Sequence, residues 1–141
     1  MKYKIDNNYY YVSLDPGEEI NNTFENIALK ESIKTAWING IGAIRDIEMG
    51  YYDIESKTYI RQIFKEDFEL TSLIGNISIK DEKLYSHTHI TFSDKDFNVY
   101  GGHMFKGTIS AAGEFIMIKG DGKINRKFNS DIGLGLWCFD K

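Results

Sequence analysis

Phe68-Glu69-Leu70-Thr71-Ser72-Leu73-Ile74-Gly75-Asn76-Ile77-Ser78-Ile79, interrupted at Asp81-Glu82-Lys83 and resumed as Leu84-Tyr85-Ser86-His87-Thr88-His89-Ile90-Thr91-Phe92, decides the fold. Two runs rich in Ile, Leu, Phe, Thr and Tyr, joined by a short charged turn, read as neighbouring antiparallel strands. Gly75-Asn76 reads as a bulge or bend within the first run. The same grammar continues outward in both directions. Downstream it predicts strands over Val99 to Phe105, Thr108 to Ile118 and Gly133 to Phe139. Upstream it predicts Thr58 to Lys65, Ile44 to Ile54, a short strand at Ala36-Trp37-Ile38 and a first strand over Tyr9 to Leu14. Asn39-Gly40-Ile41-Gly42-Ala43 reads as a glycine-punctuated turn, and Glu55-Ser56-Lys57 as a hairpin connection.

One segment breaks the strand pattern. After the turn signature Asp15-Pro16-Gly17, Ile20, Phe24, Ile27 and Ala28 fall at i, i+4, i+7 and i+8, one apolar stripe of a helix from about Glu18 to Ser32. The expected fold is therefore α+β: a mostly antiparallel β-sheet of eight or nine strands packed against one main helix. No linker, internal repeat or low-complexity run divides residues 1–141, so one domain is expected.

Composition narrows the function. The formal charge is −4 and the pI about 5.4. A free-standing nucleic-acid binder needs a basic face to neutralise phosphates. The run Lys119, Lys123, Arg126 and Lys127 reads as a solvated loop rather than such a face. Cys138 is the single cysteine, so no intrachain disulfide forms and its thiol is expected to be packed and inert. Met1-Lys2-Tyr3-Lys4-Ile5-Asp6 carries no apolar leader, and no run approaches the ~18 apolar residues of a membrane span. A cytoplasmic protein with no membrane partner is expected. Gly40-Ile41-Gly42 precedes a strand and lacks a third glycine, which argues against a dinucleotide fingerprint.

The chemistry concentrates in three histidines. His87 and His89 stand at i and i+2, so in a strand they leave the same face with Cβ atoms roughly 6.5–7 Å apart. His103 follows Gly101-Gly102 on the next predicted strand. If those strands pair, three neutral imidazoles converge and leave one tetrahedral position open. Zinc is the first choice of divalent metal, and nickel, copper or iron also suit imidazole. Strand histidines also serve simply as hydrogen-bonding groups. Asp46 with Glu48, and Asp67 with Glu69, are carboxylate pairs at i and i+2 that read as solvated strand charges. Glu69 and Glu114 sit beside apolar residues and are the candidates for a second shell or proton shuttle.

Six segments in this order resemble the PPC (plants and prokaryotes conserved, DUF296) family. They are Asn39-Gly40-Ile41-Gly42-Ala43-Ile44-Arg45-Asp46, Gly50-Tyr51-Tyr52-Asp53, Phe68 to Ile77, His87-Thr88-His89-Ile90, Gly101-Gly102-His103-Met104 and Ala111-Ala112-Gly113-Glu114-Phe115. The resemblance spans nearly the whole chain. It implies the same mostly antiparallel fold, a homotrimer, and a metal on His87, His89 and His103. Plant members carry AT-hooks, Arg-Gly-Arg-Pro segments that enter the minor groove. This chain has none, and Pro16 is its only proline. Three functions stand: a metal-binding trimer with a structural ion or a small-molecule ligand, a metal-dependent enzyme, and a DNA-binding or DNA-associated regulator. The acidic balance and the missing hook weigh against the last.

Overall fold

Nine strands and a single helix make up the computed structural model, which describes residues 1–139. The strands are β1 (Lys2–Asp6), β2 (Tyr9–Leu14), β3 (Ala36–Asp53), β4 (Thr58–Phe64), β5 (Phe68–Lys80), β6 (Lys83–Ser93), β7 (Val99–Lys119), β8 (Asn125–Asn129) and β9 (Leu134–Cys138); α1 is Ile20–Lys30. Every ladder is antiparallel except a single parallel pairing of Ile79 with Asn125. The fold is thus mostly β-sheet with one short helix.

Two strands are much longer than the sequence suggests. Asn39 to Ala43 is not a turn but the middle of the 18-residue β3. Its glycines mark close backbone approach: a Cβ on Gly40 would lie 2.2 Å from the Phe115 ring. Thr108 to Ile118 is likewise continuous with Val99 to Phe105 in the 21-residue β7. Bulges bend both strands, at Gly40/Gly42 against β5 and at Gly42/Ile44 and Arg45/Glu48 against β7. Asp46 lies in the Arg45/Glu48 bulge with φ 48°, so it and Glu48 do not follow simple strand alternation. The bend also falls at Leu70/Ser72 in β5 rather than at Gly75-Asn76. Because β3 and β7 bend, each meets different partners along its length, and the ladders close a circuit β3–β5–β6–β7–β3.

The helix runs from Ile20, the first residue of its apolar stripe, to Lys30, two residues shorter at each end than the expected Glu18 to Ser32. Glu19 is its N-cap, with carboxylate oxygens accepting from the backbone N–H of Asn21 and Asn22 at 3.3 and 2.7 Å. Ile20, Phe24, Ile27 and Ala28 are all buried against the sheet, and Phe24 meets Phe115 edge-on at 5.3 Å. They join Val12, Leu14, Ile38, Leu73, Ile77, Ile90 and Met117 in the core. Side chains alternating with these point to the outer face of the sheet.

β1 and β8 were absent from the sequence reading. β1 folds onto β2 through Asn7-Asn8, with Asn7 at φ 53°. β8 pairs with β9 as a C-terminal hairpin that lies against β5.

Candidate metal centre

Strand alternation builds the first half of the site. His87 and His89 leave β6 on the outer face, while Thr88 between them turns into the core and donates its hydroxyl to Asn21 Oδ1 at 2.8 Å. Pairing builds the second half: His103 of β7 sits directly opposite His89. Gly102 lets β7 lie close beside β3, since a Cβ there would fall 2.9 Å from the Gly50 carbonyl oxygen. The imidazole centroids are 5.1 Å (His87–His89), 5.1 Å (His87–His103) and 5.4 Å (His89–His103) apart. One ring nitrogen from each lies within 4.8 Å of the others. A tetrahedral ion with bonds near 2.0–2.1 Å needs nitrogens about 3.4 Å apart, a distance reached by small ring rotations.

The surroundings favour neutral imidazoles. Tyr59 of β4 and Phe105 of β7 cover His103 at 5.0 and 4.7 Å between centroids, leaving it 6% exposed. Burial, then the neighbouring His87 and His89, then Arg61 and Arg126, push His103 down to about 3. Burial first, with Arg126 and His89 adding to it, pushes His87 down to about 4. His89, the most exposed of the three, is lowered by burial alone. His87 and His103 are therefore neutral, the form that can ligate a metal, well below the unperturbed value near 6.5, and His89 is shifted in the same direction.

Donor chemistry tests the fit. His103 Nδ1 is buried and has no hydrogen-bond partner. Such an orphan costs about 1–3 kcal/mol, and a metal bond at Nδ1 would relieve it. Three imidazoles are a borderline-soft nitrogen set suited to zinc, so the residues fit the ion.

Arg126 is the functional group the sequence reading missed. Its guanidinium is not in a solvated loop: β8 brings it over the sheet, with Nη2 3.2 Å from His87 Nδ1. Asn125 to Phe128 before a Ser130-Asp131 turn and the Leu134–Cys138 run was a readable hairpin pattern that would have located it. The structure does not bring Glu69 or Glu114 to the histidines. Glu69 pairs with Ala43 and Ser93, about 16 Å along β5 from the partner of His89 at strand rise. Glu114 pairs with Ser13 and Ile41, about 35 Å along β7 from His103.

Known proteins resemble this chain over nearly its whole length. The model of the Plants and Prokaryotes Conserved (PCC) domain matches residues 1–120. A plant- and prokaryote-conserved protein from Pyrococcus horikoshii is 35% identical, with 99% of this chain and 96% of that one covered and a TM-score of 0.85. A metal-containing protein from Archaeoglobus fulgidus is 33% identical over 98% and 97% of the two chains, TM-score 0.87. A "putative DNA-binding protein" from Bacteroides thetaiotaomicron is 33% identical over 99% and 98%, TM-score 0.94. Among curated proteins there is no match.

Proposed function

Since this chain belongs to the Plants and Prokaryotes Conserved domain family, we propose that it is a homotrimeric metal-binding protein in which His87, His89 and His103 hold one divalent ion, zinc in first place. One observation carries the reading: three imidazole nitrogens gathered within 4.8 Å, one ring of which has a buried nitrogen without a partner. The metal-containing relative from Archaeoglobus fulgidus adds support. When bound, zinc would supply a Lewis-acidic position open to water or a small ligand. The chain's own residues hold that position: β6 and β7 fix the rings, and Tyr59 and Phe105 exclude water from the His103 side. A binding role is favoured over a metal-dependent enzyme, because Glu69 and Glu114 stand too far along their strands to move a proton there.

Trimer formation is supported by the outer face itself. Tyr11, Trp37, Ile41 and Ile74 stand 47%, 45%, 55% and 49% exposed on the same outer face of the sheet, an apolar surface that a second and third copy would cover. Duplex DNA fits less well. The net charge is −4, and Arg126 is withdrawn from the basic run to contact His87. No helix among the described residues is long and apolar enough to cross a membrane.

Elemental analysis of protein purified without chelator tests the reading. One zinc per chain is expected, and His89→Ala should remove it. Wild-type protein that holds no metal even after reloading would refute it.

A further inference from the structure

Arg126 carries a positive charge into the sheet, and among the described residues no carboxylate pairs with it. Nε donates to Ser78 Oγ at 2.7 Å, Nη1 to the Gly135 carbonyl at 2.9 Å, and Nη2 to Asn76 Oδ1 at 3.0 Å. Its Nη2 also meets His87 Nδ1 at 3.2 Å, and the Tyr85 ring lies 5.2 Å from its guanidinium carbon. None of the ion pairs among the described residues involves it. Of its five N–H groups, one on Nη1 has no partner among the described residues.

The contact with His87 has a chemical consequence. A donor pointing at Nδ1 needs the lone pair of that atom. Ligation of a metal through Nδ1 takes the lone pair; ligation through Nε2 leaves a proton on Nδ1 that faces the donor. In both cases the N–H on Nη2 must give up His87. Ser78, Gly135 and Asn76 still anchor the guanidinium, so the freed donor stays beside the ligating ring. A divalent ion on neutral imidazoles, next to an unpaired guanidinium, then concentrates positive charge in a partly desolvated place. That arrangement needs an anion.

We infer that Arg126 is an anion-recognition residue, and that the open position of the histidine centre takes a small carboxylate, held by the metal on one side and the Arg126 fork on the other. This rests on the metal-binding reading above. The planar guanidinium matches a carboxylate in geometry as well as charge. The ligand must be small, because Tyr59, Phe105 and Tyr85 crowd the rings. It follows that Arg126 and the metal compete for His87 until the anion arrives, so metal and carboxylate should bind with positive coupling.

The test loads wild type, Arg126→Gln, Arg126→Lys and the control Lys127→Ala with cobalt(II), whose visible bands report its coordination. Each is titrated with acetate, oxalate and inorganic phosphate, and thermal melts confirm folding. Carboxylates should shift the wild-type and Lys127→Ala bands saturably and bind Arg126→Gln about tenfold or more weakly, the loss of one charge-assisted hydrogen bond. Arg126→Gln should at the same time bind cobalt several-fold more tightly in the absence of anion. Arg126→Lys keeps a charge without the fork and should fall between; it carries the test if the Gln variant melts early. Equal carboxylate affinity in wild type and both Arg126 variants overturns the inference, as does phosphate binding more tightly than acetate and oxalate. Cobalt that fails to bind wild type, or binds His89→Ala equally well, defeats instead the metal centre on which the inference stands.

Discussion

Two ends of one sheet face differ in what covers them. Tyr11 pairs with Ile116, Ile116 with Asn39, Asn39 with Ile74, Ile74 with His89 and His89 with His103, a single row of outer-face residues across the molecule. At the histidine end, β4 and the C-terminal hairpin fold over the row, and His103 is sealed under Tyr59 and Phe105. At the other end no described residue covers the face, and Tyr11 and Trp37 stand 47% and 45% exposed. The same alternation placed both sets. Cover from the chain itself lowers proton affinity at the imidazoles, whereas the bare apolar residues are the surface that the proposed trimer would cover.

The sharpest way to break this contrast is to charge the bare end. Tyr11→Glu combined with Trp37→Glu should drop the mass seen by light scattering threefold, to that of a single 16.3 kDa chain, while histidine-dependent zinc is kept. A wild type that already scatters as a monomer at micromolar concentration would refute the covering role.

At the sealed end, Gly102→Ala should come next in size. The added methyl meets the Gly50 carbonyl and the Met49 side chain and pushes β7 from β3 beside His103. A loss of about 1–3 kcal/mol in chemical denaturation, with weaker zinc binding, is expected. An unchanged midpoint would show that β7 tolerates the shift.

Titration sharpens the same contrast. Loss of zinc should begin below pH 6 and run through the His87 value near 4, lower than an ordinary imidazole at about 6.5 would release it. The metal-free protein obeys the linked rule. The unfolded chain takes up protons from about pH 6.5, but folded His87 and His103 resist until about 4 and 3. The stability they contribute is therefore complete above 6.5 and is lost as pH falls through that window. Denaturation midpoints that stay level from pH 7 to 4 would contradict this.

Thr88→Ala should barely move zinc affinity, because Thr88 faces the core, yet cost about 1 kcal/mol through its bond to Asn21. The smallest effect expected is on duplex DNA, with no gel shift at physiological salt and nanomolar protein. A sequence-selective shift there would return the DNA reading to first place.

The histidine trio was legible because period-two alternation and one neighbouring strand suffice to place it. The helix stripe was legible for the analogous reason, and Glu19, expected inside the first turn, caps the helix instead. Gly40 and Gly42 misled because glycine marks close approach as well as turns; here the constraint is Phe115, 75 residues downstream of Gly40 in sequence. Arg126 was misread because its surroundings depend on a hairpin docking against β5, a long-range event that a local charge run does not encode. Glu69 and Glu114 looked promising through apolar neighbours, but register, not neighbours, decides which residues meet.

The circuit β3–β5–β6–β7–β3 also sets a timetable for synthesis. A nascent chain that has emerged only through β6 holds His87 and His89 without a third partner, and β2 has no neighbour on its second side until Tyr10 meets Met117. Pairings between such distant segments are slow to form. The ribosome must therefore deliver β7 before all three rings can meet, so the assembled trio marks a chain whose four-strand circuit has closed.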